Sequence, residues 1–253
     1  MISLRRLIVL TGASTSVLLM LSGTRADSLV VQGQNNVGIY DAKFYQNYND
    51  INFGGSQTLT ILNSSAVNRR AVFKFVNMDT IGIGREVDSM AIDLYCTSQA
   101  GATVGMFELW KDWYEGASDN ATETGAVDDV HWYHPDSAWT KEIADSADDN
   151  GTQNRGNGTG ADRAATAMAS VTVSTISTWY RFRVSAGLAQ DWYEGAKQPY
   201  GVIFIETGNA GTTVFASSEY STTAYRPKVT LYYHTTAPQN LSRRRAALIK
   251  GNS

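Results

Sequence analysis

Apolar and polar residues alternate through most of residues 27–236, which is the period of a β-strand with one buried face. The clearest alternating runs are residues 71–75, 90–96 and 180–184. Glycine and asparagine separate the runs, as expected of turns between short strands. Helical spacing is nearly absent, and the best helix candidate is one short turn around residues 185–192. The pattern predicts an all-β fold, a single antiparallel β-sandwich of the jelly-roll type. Each strand is expected to bury one face and to expose the other to solvent.

The single cysteine, Cys96, stands at an apolar position of the 90–96 run, so we expect a small buried core residue rather than a nucleophile. One cysteine excludes an intrachain disulfide framework and a zinc site built from several thiolates. With 43% hydrophobic and 18% charged residues, the composition is that of a chain that can fill a core.

The beginning of the chain differs from its middle. Residues 1–26 are typical of a secretory signal peptide, with the basic pair Arg5 and Arg6, an apolar stretch over residues 7–21 and a small-x-small cleavage site at residues 24–26. The alternative is an uncleaved membrane anchor, but the apolar stretch falls short of the ~20 residues that a span needs. No later stretch is apolar enough to cross a bilayer. We therefore expect a secreted, extracellular or cell-surface protein with no membrane span in the mature chain.

The formal net charge of −3 conceals an uneven distribution. Residues 27–236 hold 14 basic and 24 acidic residues, a balance of −10, whereas both ends are basic. Affinity for a phosphate backbone needs clustered Lys and Arg, so the acidic middle argues against a nucleic-acid partner. Residues 237–253 lack the alternation and contain three consecutive arginines, and we interpret them as a disordered basic tail. The alternative is a sorting element or a contact with an anionic surface.

The hexapeptide Asp-Trp-Tyr-Glu-Gly-Ala occurs twice, at residues 112–117 and 191–196. The structural interpretation is a strand or helix end that places a Trp in the core and turns at the Gly. The functional alternative is that Glu115 and Glu194 form a catalytic carboxylate pair, as in glycosidases. The sequence contains no nucleophile elbow, phosphate-binding loop or dinucleotide fingerprint, so we expect a protein that is not an enzyme.

Aromatic and imidazole side chains cluster in residues 131–139. Flat aromatic rings stack on the C–H faces of sugars while polar neighbours bind the hydroxyls, so the segment predicts a carbohydrate-binding platform. The candidates, together with the Trp of the first hexapeptide, are Trp113, His131, Trp132, Tyr133, His134 and Trp139. One alternative is that Trp132 and Trp139 are core anchors. Another is that His131 and His134 bind a metal ion with carboxylates from elsewhere.

Acidic residues on both sides of this aromatic segment form a second candidate site. Calcium takes six to eight oxygen ligands, which clustered carboxylates and loop carbonyls supply. The candidate ligands are Asp128, Asp129, Asp145, Asp148 and Asp149. Their spacing is not that of an EF-hand, and the alternative is a solvated polar loop. A bound calcium ion would also reduce the repulsion within the acidic middle.

Short motifs in a fixed order extend from about residue 41 to residue 233. They are N-F-G-G at 52–55 with L-T-I at 59–61, R-R-A-V-F-K-F at 69–75, I-D-L-Y at 92–95, W-Y-E-G at 113–116 with Trp132 and Trp139, W-Y-E-G at 192–195 with Y-G-V at 200–202, F-A-S-S-E-Y at 215–220 and R-P-K-V-T-L at 226–231. In this order they resemble the DNRLRE-type secreted domain, which is related to family 96 carbohydrate-binding modules. The chain departs from that pattern at His131, where Thr is usual, and in the length of the 144–163 loop.

The resemblance implies a single jelly-roll-like β-sandwich that serves as a non-catalytic module of secreted or cell-surface proteins, some of which bind polysaccharide. We therefore expect a module that binds extracellular polysaccharide, and the acidic middle favours neutral glycans. The alternative is a structural building block of a cell-surface, matrix, filament or virion-like assembly. Its loops and tail would then contact neighbouring surface proteins or further copies of the chain. The third hypothesis, a glycan-cleaving enzyme, rests only on Glu115 and Glu194.

Overall fold

A computed structural model describes residues 26–45, 53–64, 67–98, 101–117, 163–208 and 211–235. The strands in these ranges are β1 (Asp27–Gln32), β2 (Ile39–Tyr45), β3 (Thr58–Asn63), β4 (Asn68–Phe75), β5 (Arg85–Ser98), β6 (Ala102–Glu108), β7 (Ala169–Val173), β8 (Thr178–Val184), β9 (Val202–Glu206), β10 (Thr212–Ala216) and β11 (Lys228–Thr235). The helix is α1 (Ala186–Glu194), and 3-10 turns occur at Asn35–Val37, Met78–Ile81 and Thr223–Tyr225. The predicted tail lies outside the described residues, as does the predicted signal peptide apart from Ala26.

These strands form an antiparallel sheet that curls around a hydrophobic core. Its order is β1-β11-β5-β10-β3-β4-β9-β6-β7, with β2 beside β4 and β8 beside β5. The long strand β5 pairs with β11 along one edge and with β8 along its other edge, so β8, β5, β11 and β1 lie side by side. The prediction of an all-β, antiparallel, sandwich-like fold is confirmed.

Strand alternation decides which side chains enter the core. Met90, Ile92 and Leu94 of β5 are buried against the main core, and the residues between them lie on the opposite face of the strand. Phe182 of β8 packs edge-to-face on Phe204 of β9, with ring centroids 5.0 Å apart, which is a favoured aromatic geometry. This contact joins two strands that lie far apart in the sheet order, so the curled sheet encloses one continuous core.

Cys96 is completely buried in this core, as predicted from its place in the alternating run. Burial raises the pKa of its thiol, because the thiolate would lose its hydration. A buried thiol with a raised pKa is a small apolar core residue rather than a nucleophile.

Strands β4 and β9 are buried on both faces, which differs from the expectation that each strand exposes one face to solvent. A second cluster of buried side chains covers their outer surface. Its members are Ala42, Phe44, Val72, Phe107, Leu109, Trp113, Ile203 and Ile205. The physical reason is the segment 109–113 after β6, which packs across the sheet and is held by the hydrogen bond from the Leu109 N–H to the Gly201 carbonyl, 2.9 Å long.

Helix α1 has a well-defined beginning and end. The Ser185 side chain accepts a hydrogen bond from the N–H of Leu188, and Gly195 ends the helix in the left-handed conformation at φ 71°. The predicted helical turn is therefore confirmed, and it continues to Glu194. No helix in the described ranges has the length and apolar character that crossing a membrane requires.

Candidate functional site

The two copies of the hexapeptide place their tryptophans in the interior. Trp113 is 0% exposed and Trp192 is 4% exposed. The glycine of each copy, Gly116 and Gly195, has a left-handed backbone with φ of 72° and 71°. That conformation favours glycine, so each copy buries a tryptophan and then turns the chain. The structural interpretation of the repeat is confirmed.

Trp113 is therefore not part of a carbohydrate platform, and its inclusion among the sugar-stacking candidates was wrong. Its indole N–H donates a 2.8 Å hydrogen bond to the carbonyl of Tyr200, and the Lys74 ammonium lies 4.8 Å from its ring centroid. A ring that is enclosed on all sides has no face to offer a sugar. The other carbohydrate candidates, His131, Trp132, Tyr133, His134 and Trp139, lie outside the described residues, as do the calcium candidates Asp128, Asp129, Asp145, Asp148 and Asp149.

The glutamates of the two copies have different surroundings. Glu194 accepts a 2.6 Å hydrogen bond from the side chain of Gln190 on the exposed side of α1. Glu115 instead accepts a 2.7 Å hydrogen bond from the backbone N–H of Asp41. The contacts of Glu115 lead to two other carboxylates rather than to its counterpart in the repeat.

Asp41, Glu115 and Glu219 form a carboxylate cluster. One carboxylate oxygen from each residue lies within 4.8 Å of the corresponding oxygens of the other two. Asp41 is completely buried in β2, whereas Glu115 and Glu219 are partly exposed. The Ser218 N–H donates a 2.8 Å hydrogen bond to Oδ2 of Asp41, and the Ser218 hydroxyl donates to Oε1 of Glu219 at 2.7 Å. Three acidic groups from three parts of the chain thus meet at one place.

Close packing of the backbone fixes the position of Glu115. Gly54 lies so near that a Cβ at this residue would come within 1.9 Å of the Glu115 carbonyl oxygen. Only glycine allows this approach, because real Cβ atoms do not come closer than about 3 Å to a backbone oxygen. The loop before β3 therefore holds Glu115 against β2.

Crowding of the three carboxyl groups disfavours their ionised forms. Burial raises the pKa of Asp41 well above its ordinary value, and the charges of Glu219 and Glu115 raise it further. Burial raises the pKa of Glu115 to about 8, an effect that the hydrogen bond from Asp41 and the charge of Lys74 partly oppose. Burial also raises the pKa of Glu219. The cluster is thus a place where positive charge is favoured.

The carboxylate cluster was not predicted from the sequence because its members are far apart along the chain. Glu115 is 74 residues from Asp41, and the Ser218 that binds Asp41 is 177 residues away. A local signal did exist. Asp41 stands inside the strand run Ile39–Tyr45, where a carboxylate among buried positions is unusual.

A second candidate site is an aromatic face on the outer side of β8 and β5, made by Tyr95, Trp179 and Tyr225. The rings of Tyr95 and Tyr225 stack with centroids 4.1 Å apart and planes 2° apart. The Trp179 ring meets Tyr95 edge-on at 5.3 Å. Tyr225 is 37% exposed, and Trp179 and Tyr95 are partly exposed. The side chains come together because Trp179 and Tyr95 are cross-strand neighbours.

Polar side chains border the aromatic face. Arg181 donates from Nε and Nη2 to the two oxygens of Asp93, each at 2.7 Å, and it also donates to the hydroxyl of Tyr232. The Lys228 ammonium lies over the Trp179 ring at 3.8 Å. A shallow depression of about 470 Å³ lies beside the Trp179 ring, and its lining is Val30, Asp93, Trp179, Arg181, Lys228 and Thr230. Trp179 was not among the predicted site residues. The alternation of β8 did contain the signal, because Trp179 and Arg181 share the strand face opposite to the buried Phe182.

A larger depression of about 560 Å³ lies beside both copies of the hexapeptide. Asp112 of the first copy and Glu194 of the second line it, and so does Lys74 of β4. Lys74 donates to Asp112 at 3.0 Å and to the carbonyl of Trp113, so its charge is already engaged there. This depression is therefore a polar groove with an internal ion pair.

No protein-family model matches the chain, and no curated protein matches it.

Proposed function

We propose that the protein is a secreted, non-catalytic module that binds extracellular polysaccharide through the aromatic face. The observation that carries the proposal is the partly exposed group of Trp179, Tyr95 and Tyr225 on the outer side of the sheet. Aromatic rings that serve only the core are buried, whereas these three remain partly in water. An exposed aromatic group beside polar side chains is what the faces and hydroxyls of sugars require.

The arrangement of polar groups supports the proposal. The ion pair of Arg181 with Asp93 holds donors and acceptors in a fixed position next to the Trp179 ring. Lys228 lies over one face of the Trp179 ring, and its long flexible side chain can move aside and donate to a sugar hydroxyl. The depression is open and shallow, which suits one stretch of an extended glycan chain rather than a small enclosed ligand.

Further observations support secretion, polysaccharide binding and the choice of a neutral glycan. The ordered motifs resemble the DNRLRE-type secreted domain and so favour a polysaccharide-binding module, and the N-terminal 26 residues favour export. The acidic middle of the chain repels polyanions, and Arg181 and Lys228 are engaged with Asp93 and Trp179. We therefore propose a neutral glycan as the ligand.

Trp179→Ala is expected to weaken glycan binding by about tenfold or more, because a stacking tryptophan at the centre of a site is usually a dominant contact. The measurement is affinity electrophoresis of the full chain in gels that contain hydroxyethyl cellulose, xylan or galactomannan. For the polysaccharide that retards the wild type, mobility is measured at several polysaccharide concentrations. The dependence of mobility on concentration gives the dissociation constant.

The matched control is Trp110→Ala, which removes a tryptophan that is 41% exposed and lies on the other part of the sheet, after β6. This variant is expected to migrate like the wild type in the same gels. Equal loss in both variants, or none in Trp179→Ala, would contradict the assignment to the aromatic face. If only an acidic gel such as polygalacturonate retards the wild type, the choice of a neutral glycan is wrong. Absence of retardation in every gel, with self-association in sedimentation, would favour the structural building block instead.

A further inference from the structure

The carboxylate cluster contains a buried oxygen that the described residues leave without a partner. Oδ2 of Asp41 accepts a hydrogen bond from Ser218, but Oδ1 of the same carboxylate is fully buried and has none. A buried acceptor without a partner costs about 1–3 kcal/mol, and more when the group is charged. The orphaned oxygen belongs to the fully buried member of the cluster, so it points to a positively charged occupant there.

The ligand set selects the kind of cation. The three side chains offer carboxylate oxygens and neither imidazole nor thiolate, which suits a hard divalent ion rather than zinc or copper. Calcium binds oxygens at about 2.3–2.6 Å, so oxygens on opposite sides of the ion are about 4.6–5.2 Å apart. The three oxygens lie within 4.8 Å of one another, which allows all of them to contact one such ion.

Magnesium fits this place less well. It demands near-octahedral geometry and usually retains several water molecules. Asp41 is completely buried and Ser218 packs against it, so little room is left for a hydration shell on that side. Calcium accepts irregular coordination and both mono- and bidentate carboxylates.

We propose that Asp41, Glu115 and Glu219 bind a calcium ion that ties β2, the loop after β6 and the turn after β10 together. The ion would give Oδ1 of Asp41 its missing partner and neutralise two of the three charges. Lys74 and Arg226 act on the remaining charge, since Lys74 lowers the pKa of Glu115 and Arg226 lowers that of Glu219. The proposed ligands are different residues from those of the aromatic face and from the acidic candidates between residues 128 and 149.

The test is thermal unfolding of the full chain, first treated with chelator and dialysed, then measured with and without added CaCl₂ at pH 7.5. Calcium at about a hundred times its dissociation constant is expected to raise the midpoint by about 5 °C or more. Isothermal titration with CaCl₂ alone is expected to show one site. Magnesium chloride at the same concentration is expected to give a clearly smaller shift.

Two variants locate the ion. Asp41→Asn keeps the size and the acceptor for Ser218 but removes the buried charge, so it is expected to fold without calcium and to lose the calcium-dependent shift. Glu219→Gln changes a partly exposed member and is expected to reduce calcium affinity at least about tenfold. Asp79→Asn, an exposed carboxylate outside the cluster, is the matched control and is expected to retain the full shift.

Three outcomes would overturn the proposal. The wild type could show no shift with calcium and no heat of binding. Asp41→Asn and Glu219→Gln could retain the full shift, which would place the ion among other residues, such as the acidic segment 128–149. Magnesium could match calcium, which would show that the ion is wrongly assigned. Glycan retardation in the gels does not enter this test, so the two proposals can fail separately.

Discussion

Trp113→Ala is expected to destabilise the protein by about 3–5 kcal/mol, the usual cost of removing a fully buried tryptophan from a packed core. The residue belongs to the cluster that covers the outer faces of β4 and β9, so its loss leaves a cavity under the 109–113 segment. It also leaves the Tyr200 carbonyl without its 2.8 Å hydrogen bond. Urea denaturation followed by circular dichroism measures the change in free energy of unfolding.

The second copy of the repeat supplies a matched comparison. The indole nitrogen of Trp192 is buried and has no hydrogen-bond partner among the described residues, whereas that of Trp113 is bonded. Trp113→Phe is therefore expected to cost more than Trp192→Phe, by about 1–3 kcal/mol for the carbonyl left unsatisfied. Equal costs in the two variants would show that the hydrogen bond to Tyr200 does not stabilise the fold. A cost below about 1 kcal/mol for Trp113→Ala would contradict the burial of the ring.

Gly201→Ala is expected to destabilise the protein by a similarly large amount. Gly201 has φ of 93°, which costs a residue with a side chain about 1–3 kcal/mol. An added Cβ would also lie 2.1 Å from the Phe73 carbonyl oxygen, and overpacking of this kind costs about 1–3 kcal/mol more. Because Gly201 stands where β9 begins beside β4, the clash forces the two buried strands apart.

The control for this prediction is Gly187→Ala, the same substitution in the first turn of α1. A Cβ at Gly187 meets nothing within 4 Å, and alanine favours the helix over glycine by about 0.5–1 kcal/mol. This variant is expected to unfold at a slightly higher temperature than the wild type. Thermal unfolding of both variants checks the pair, and a Gly201→Ala midpoint equal to that of Gly187→Ala would contradict the close approach of β9 to β4.

The strands were predictable because each carries its own pattern. The alternation in β5 identified Met90, Ile92 and Leu94 as core residues and Cys96 as buried, and the structure confirms all four. The helix was predictable from its local sequence, with Ser185 before it and Gly195 after it. Both signals depend only on neighbours in the chain.

Burial of both faces of β4 and β9 was not predicted, since it depends on a segment that arrives from elsewhere. The continuous apolar run of β9, residues 202–205, is the pattern of a strand covered on both sides, and it was the available signal. Trp113 was misassigned for a related reason. A tryptophan in a loop suggests a ligand platform, whereas the repeated hexapeptide suggested a core position, and the packing of that loop on Val72 and Ile203 decides for the core.

The aromatic face was more predictable from the sequence than the carboxylate cluster was. The aromatic face follows from strand alternation once Tyr95 and Trp179 are known to be neighbours. The carboxylate cluster depends on three contacts between distant parts of the chain, and no spacing rule connects Asp41 with Glu219. Long-range approach of like charges is a property of the fold, and only the fold shows it.

The most direct test of polysaccharide binding at the aromatic face is the nuclear magnetic resonance of the indole N–H groups. The chain has six tryptophans, so the ¹⁵N-labelled protein gives a small set of indole signals, each assigned by a Trp→Phe variant. A soluble oligosaccharide cut from the polysaccharide that retards the wild type is then titrated. The predicted result is a saturable shift of the Trp179 signal, while the signals of the buried Trp113 and Trp192 stay in place. The assignment would be contradicted if the Trp179 signal stayed unchanged while another indole signal shifted, whether that of Trp132, Trp139, Trp110 or Trp192.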